Sequence, residues 1–270
     1  MQMEAVTAKI EREIKLLIRS DHPQFVADQI AALPALADFR LVPAGRRVLH
    51  DIYFGVSDSA STVERMALRV RRIDREWWLT LKGPSQPDDA GAMNRLEIEA
   101  PWSQTALQRV LEELDRRNLF SADINSVPLS MAPEKVMQQL GLRVIQRRET
   151  ERRLRNIFWA ANDDSPLFAE LAIDHVTYLL KQHRIAHYEI EIEAKSDAAD
   201  SAIAVFAECM LDRFGTALQT LNIGKLAIGR AIQQLLEAGL YAEITDSTQT
   251  LKPSAYDTIE RLILQRQNDL

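Results

Sequence analysis

The sequence predicts an α+β fold in which strands form an antiparallel β-barrel and helices pack outside it. Three observations predict this. Strand-like segments alternate charged and apolar residues with a period of two. Several helices carry an apolar stripe that needs a sheet to cover. The order strands, helix, strands, helices lacks the regular βα alternation of a doubly wound sheet. At 270 residues with 46% hydrophobic content, the chain is long enough for one large barrel-type domain or a domain with a small appendage.

The first strand is read at 8–19 (AKIEREIKLLIR), with Lys9, Glu11, Glu13 and Lys15 on one face and Ala8, Ile10, Ile14, Leu16 and Ile18 on the other; Arg12 interrupts the apolar face. Asp21, His22 and Pro23 look like the start of a helix running to about residue 33. Past Pro34, strands are expected at about 39–54, 65–73, 75–83 and 93–100, separated by the turn-rich pieces GVSDSAS and GPSQPDDAG. A helix at about 103–118 lines up Leu107, Val110, Leu111 and Leu114. A short helix near 133–140 leads to strands near 142–158, 167–178 and 184–195, and helices near 197–215, 225–238 and 254–267 follow.

Composition narrows the function. The 33 basic and 39 acidic residues leave a net charge of -6, which argues against a general DNA or RNA binder, because that role wants a positive surface. Cys209 is the only cysteine, so no internal disulfide, thiolate zinc site or iron–sulfur cluster is available. No run approaches the roughly 18 apolar residues of a membrane span, and Glu4, Glu11 and Glu13 interrupt any signal-peptide core. The expectation is a cytoplasmic protein without nucleic-acid or membrane partners. Gly224 and Lys225 resemble the end of a phosphate loop, but Gln219 stands where that motif needs glycine. The five histidines show no HExxH spacing.

The informative feature is what the alternate strand positions carry. Sorting by parity groups Glu11, Glu13 and Lys15; Arg69 and Arg71; Thr80 and Lys82; Arg95, Glu97 and Glu99; and Glu189, Glu191 and Glu193. Their neighbours on the opposite faces are apolar: Leu68 and Val70, Leu79 and Leu81, Leu96 and Ile98, Ile190 and Ile192. For one strand alone, a charged face is simply a solvated face. Taken together, the helices need the apolar faces, which turns the charged faces into the barrel. Like charges about 6 Å apart at an effective dielectric near 20 repel by about 3 kcal/mol per pair. A polyphosphate with its divalent cation neutralises both signs, since carboxylates hold Mg²⁺ or Mn²⁺ while guanidinium and ammonium groups take phosphate oxygens.

These residues resemble the CYTH superfamily, the triphosphate tunnel metalloenzymes. EREIK at Glu11–Lys15 matches the ExExK signature, and further matches follow in order: DIYF from Asp51, MALRVRR from Met66, WLTLKGP from Trp78, RLEIE from Arg95, LAIDHV from Leu171, YEIEIEAK from Tyr188, and GKLAIGRAI around Lys225. The resemblance implies an eight-stranded antiparallel tunnel over 1–232, with a helical extension at 233–270 that serves dimerisation or caps the tunnel. It implies a metal-dependent triphosphatase acting on inorganic tripolyphosphate or a related organic triphosphate with Mg²⁺ or Mn²⁺. An adenylate cyclase making cyclic AMP and pyrophosphate, or a non-catalytic polyphosphate- or nucleotide-binding module, are the alternatives. By resemblance and chemistry, Glu11, Glu13, Asp174, Glu189 and Glu191 are the metal ligands, with Glu193 a further candidate. Lys15, Arg69, Arg71 and Lys82 are the catalytic cations, and with Arg148, Arg152 and Lys225 they grip the phosphates. Glu97 and Glu99 hold these bases or bind metal. Within QRRETERRLR, parity pairs Arg148 with Arg152 and selects them over Arg147 and Arg153. One departure from the family pattern is the Gly55, Val56 and Ser57 sequence after the DIYF strand, where an acidic turn and a proline are usual.

Overall fold

The computed structural model describes residues 8–55, 66–88, 92–160, 165–196 and 200–268. Its strands are β1 (Ala8–Ile18), β2 (Ala35–Leu36), β3 (Phe39–Gly55), β4 (Ala67–Ile73), β5 (Glu76–Lys82), β6 (Gln86–Pro87), β7 (Met93–Pro101), β8 (Arg143–Trp159), β9 (Ala169–Leu180), β10 (His183–Ala194) and β11 (Leu218–Thr220). The α-helices are α1 (Pro23–Ala32), α2 (Gln104–Arg116), α3 (Pro133–Gln139), α4 (Asp200–Phe214), α5 (Lys225–Glu237), α6 (Tyr241–Ile244) and α7 (Ala255–Asn268).

Eight of the described strands have seven or more residues. The order along the sheet is β11-β1-β10-β9-β8-β3-β4-β5-β7-β6, and β1 also pairs with β7. This is the connectivity of the eight-stranded antiparallel barrel, with the three remaining strands as short additions. The expected turn residues 56–61, including the Val56 and Ser57 departure, and the 197–199 start of the helix expected after β10 lie outside the described residues.

The chain folds as two compact units. Unit one contains residues of 1–10, 49–85 and 95–149; unit two contains residues of 11–48, 86–94 and 150–270. In unit one, the apolar faces of β4, β5 and β7 (Leu68, Val70, Leu79, Leu81, Ile98) share a core with Leu107, Val110, Leu111 and Leu114 of α2 and with Val136 and Met137 of α3. Ser103 starts α2 by accepting a hydrogen bond from the Ala106 backbone N–H at 3.1 Å, satisfying one of the helix's orphan donors.

Unit two has two cores. In the first, Ile14, Leu16 and Ile18 of β1 and Ile190 and Ile192 of β10 meet Val26 and Ile30 of α1 and Ile203, Phe206 and Met210 of α4. In the second, Val176, Tyr178 and Ile185 of the β9–β10 hairpin meet Ile228 and Ile232 of α5 and Ile259 and Ile263 of α7. The apolar stripe of the last helix is therefore buried in the unit's own core.

The β9–β10 hairpin closes over 181–182, whereas the sequence predicts a break between 178 and 184. Lys181 takes a left-handed conformation (φ 48°) that a sequence without glycine at that position does not advertise. The short β2, β6, β11 and α6 carry too few residues to show a period. Among the described residues, no helix is long and apolar enough to cross a membrane.

Phe206 is fully buried and packs edge-on against Phe39 at 5.3 Å between ring centroids. Phe206→Ala is expected to cost about 3–5 kcal/mol, read as a lower urea midpoint with unchanged slope, while Val205→Ala on the exposed side of α4 should stay within about 0.5 kcal/mol.

Candidate functional site

Much of the charged strand faces is buried. Glu11, Glu13, Lys15, Asp51, Arg69, Glu97, Arg148, Asp174, Glu189 and Lys225 are all buried. Each unit carries one cluster.

In unit two, the register sets the acidic cluster. Asp174 of β9 sits opposite Glu189 of β10, and Lys15 of β1 sits opposite Glu191. Because side chains alternate, Asp174, Glu189 and Glu191 share one face, and each offers a carboxylate oxygen within 4.8 Å of the others. Two cations enter this triad. Arg152 of β8 donates to Asp174 Oδ1 and Oδ2 at 2.8 and 2.6 Å and also to Glu191 Oε2. Lys225, the first residue of α5, places Nζ 2.7 Å from Glu191 Oε1 and 3.2 Å from Asp174 Oδ2, and it also donates to Glu189 Oε1. Lys15 Nζ lies 3.0 Å from Glu13 Oε1 and 4.0 Å from Glu191 Oε1.

Burial pushes the Lys225 ammonium down, but Glu189, Glu191 and Asp174 outweigh it and hold the group above its ordinary pKa. Burial pushes the Glu189 carboxyl up; Lys225 opposes this and Glu191 reinforces it, leaving a net upward direction. Glu193 stands apart from the triad, half-buried with Lys195 Nζ at 2.9 Å.

In unit one, the basic cluster forms around a carboxylate. Asp51 of β3 lies opposite Arg71 of β4, and Tyr53 lies opposite Arg69. Arg71 donates to both Asp51 oxygens at 2.7 and 2.9 Å, Arg148 Nε donates to Oδ2 at 3.1 Å, and Arg69 Nη1 lies 3.7 Å away. Arg148 also donates to the Tyr53 hydroxyl and stacks over its ring at 4.6 Å. Burial pushes the Asp51 carboxyl up, and the Arg71, Arg69 and Arg148 guanidiniums reverse this, holding it far below the usual carboxylate range. Lys82 pairs with Glu97 at 2.9 Å, and Arg69 with Glu99 at 3.2 Å, the latter carboxylate also accepting from Thr80 at 2.9 Å. Glu97 and Glu99 thus hold bases.

Parity separates the arginines of β8. Arg147 pairs with Glu134 of α3 and Arg153 with Asp28 of α1, each at 2.6 Å, whereas Arg148 and Arg152 enter the two clusters. Asp51 and Tyr53 were not among the candidate side chains, although both lie on the parity face of their strand that opposes Arg69 and Arg71. The signal was there: an acidic residue two positions before an aromatic one, on a strand whose neighbour carries two arginines.

The two clusters are charged oppositely. Unit two sets five carboxylates (Glu11, Glu13, Asp174, Glu189, Glu191) against three cations (Lys15, Arg152, Lys225). Unit one sets four cations (Arg69, Arg71, Lys82, Arg148) against three carboxylates (Asp51, Glu97, Glu99), with the exposed Lys9 reaching Glu97 from outside the cluster. The first has hard oxygen ligands to offer a cation, and the second has N–H donors in excess, including the buried Arg69 Nε, which makes no hydrogen bond among the described residues. A separate cavity of about 950 Å³, bordered by Pro23, Phe25, His175, Arg184, Tyr188 and Thr250, lies on the other face of β9 and β10 and includes none of these carboxylates.

Residues 9–213 match the CYTH domain model, and the chain belongs to the CYTH domain family. Solved structures are similar to it, the first of them at the level of the fold. A proposed adenylyl cyclase from Hippeastrum, reported to have a dominant triphosphatase activity, is 18% identical with a TM-score of 0.50, covering 83% of this chain and 96% of its own. A proposed adenylate cyclase from Bacillus halodurans is 21% identical with a TM-score of 0.45, covering 81% and 95%. The PH1819 protein of Pyrococcus horikoshii is 20% identical with a TM-score of 0.43, covering 84% and 99%. No curated protein matches the chain.

Asp51→Asn strips three guanidiniums of their shared counter-charge and is expected to cost about 3–5 kcal/mol. Because the folded-state pKa of Asp51 is depressed, its contribution to stability is complete above the unfolded-state value of about 3.9 and is lost as pH falls towards the folded one. Denaturant titrations below about pH 4 should therefore show a shallower acid loss in Asp51→Asn than in the wild type; parallel curves would remove Asp51 from that role.

Proposed function

We propose that this chain is a triphosphatase that hydrolyses a linear triphosphate, inorganic tripolyphosphate or a related organic triphosphate, with a divalent cation. The observation that carries this is the presence, in a CYTH domain, of a buried all-oxygen triad and a buried cluster of guanidinium and ammonium groups with opposite excess charge. The triad fits a hard divalent cation. All three groups are carboxylates within 4.8 Å of one another, and Glu189 Oε2, buried and outside any hydrogen bond among the described residues, has His187 Nε2 3.4 Å away. Asp174, Glu189 and Glu191 would hold Mg²⁺ or Mn²⁺, with Glu11 and Glu13 adding negative charge from the neighbouring strand. A bound divalent cation supplies neutralisation of phosphate oxygens and a more acidic bound water.

The chain's own residues do the rest. Arg69, Arg71 and Arg148 present fixed N–H forks, the geometry that takes phosphate oxygens two at a time. Asp51 holds those forks in place before substrate arrives, so little reorganisation is left for the reaction itself. Lys82 in unit one and Lys15 in unit two, each on a strand and each tethered to a glutamate, add positive charge to their own clusters of the kind that offsets charge developing on phosphate. Displacement by water breaks one phosphoanhydride bond, the oxygen of water forming the new P–O bond and its proton passing to a buried carboxylate. The full set of carboxylates favours turnover over binding alone, since a binding module needs fewer metal ligands.

The test is a panel with Mg²⁺ and Mn²⁺ offering tripolyphosphate, thiamine triphosphate and ATP. Phosphate release that stops with chelator is expected, and Glu13→Gln and Lys82→Ala should each lose on the order of 10²-fold or more in turnover while keeping the wild-type circular dichroism. Cyclic AMP with pyrophosphate as the products of ATP, or unchanged kinetics in both variants, would contradict the proposal.

A further inference from the structure

We propose that Lys225 is the built-in occupant of the carboxylate triad and that a divalent cation binds there by displacing its ammonium. The inference rests on the reading of the triad as the metal site and concerns what that site does before and after the cation arrives.

Lys225 is badly placed for its helix. It is the first residue of α5, where the helix dipole is positive and disfavours a cation, and Gly224 before it provides no side-chain cap. It is also buried, at 8% exposure. What holds the ammonium is the triad itself, through Glu189 Oε1, Glu191 Oε1 and Asp174 Oδ2. A divalent ion coordinated by those same oxygens at about 2.0–2.6 Å would lie inside the ammonium's own contact shell, so the two cations are alternative occupants. Arg152 differs. It grips Asp174 through a bidentate fork on Oδ1 and Oδ2 and reaches Glu191 at Oε2, an oxygen other than the one that meets Lys225. It orients two of the ligands, while Lys225 fills the space between all three.

The backbone allows the exchange. The Tyr178 hydroxyl donates to the Lys225 carbonyl at 2.9 Å, and Ile228 and Ile232 anchor the next turns of α5 in the core with Tyr178. The start of the helix stays fixed when the side chain leaves. An ammonium released from the triad needs a new anion, and a phosphate oxygen of the substrate is the one the proposed reaction brings. Binding of cation and triphosphate is then coupled: the cation alone must evict a paired lysine, whereas the cation with triphosphate gives that lysine a new partner.

The experiment is calorimetric titration of the metal-free protein with Mn²⁺ alone, in wild type, Lys225→Met and Lys225→Arg. Lys225→Met is expected to bind Mn²⁺ at least tenfold more tightly than wild type, and Lys225→Arg, which keeps the charge, to stay within threefold of it. Without metal, Lys225→Met should melt below wild type, and Mn²⁺ should raise its melting temperature by more than it raises that of wild type. Should Lys225→Met fold only when Mn²⁺ is present, the exchange is supported; failure to fold in Mn²⁺ as well, or unchanged or weaker Mn²⁺ binding, overturns it. Tripolyphosphate titrations of the wild type keep the two proposals apart: tighter Mn²⁺ binding by Lys225→Met, together with a wild type that neither binds nor cleaves tripolyphosphate, upholds the exchange and sinks the triphosphatase.

Discussion

Burying unequal numbers of positive and negative side chains on strand faces is the constraint on which the rest of this molecule depends. An isolated ion taken from water costs several kcal/mol even after relaxation, and only good pairing recovers that cost. The strand register supplies the pairs: Asp51 across from Arg71, Lys15 across from Glu191, Lys82 across from Glu97. Those pairs leave a residue of charge in each unit, on strands whose apolar faces are taken up by α2, α4, α5 and α7. A fold stabilised by its own apolar packing thereby carries charge that a bound ligand can balance better than the protein does alone.

Internal counter-ions make that state tolerable without ligand. Asp51 gathers three guanidiniums and keeps its charge far into acid, and Lys225 sits among three carboxylates. The two differ in what a ligand would do to them. Asp51 remains the fixed post around which the arginines are organised, whereas Lys225 occupies the place a cation would take. One is pre-organisation and the other is exchange, and both follow from the same arithmetic of buried charge.

Much of this was legible before any coordinates. A period of two is short enough to read in seven residues, so the parity of Arg69 and Arg71 or of Glu189 and Glu191 located their common faces, and the same rule separated Arg148 and Arg152 from their neighbours Arg147 and Arg153. An antiparallel barrel with helices outside followed from needing helices on the apolar faces, the number of strands came from the family resemblance, and the strand order was not legible. Partnerships were not legible, because a sequence shows which face a side chain takes but not what stands across from it. Asp51 looked like one acidic residue in a motif until β4 placed Arg71 opposite it, and the triad's relation to Lys225 required α5 to begin beside β10. The tight turn at Lys181 escaped for a different reason: its left-handed conformation is imposed by strand pairing on either side, without a glycine or asparagine to signal it. The Hippeastrum structure shares the fold at 18% identity, and the fold is what it contributes.

The most direct measurement is anomalous diffraction from crystals grown with Mn²⁺ and tripolyphosphate. A manganese peak bonded to Asp174, Glu189 and Glu191, with phosphate oxygens on the Arg69, Arg71 and Arg148 guanidiniums, is the expected result. Manganese confined to surface carboxylates, with both buried clusters still closed on their internal pairs, would contradict it.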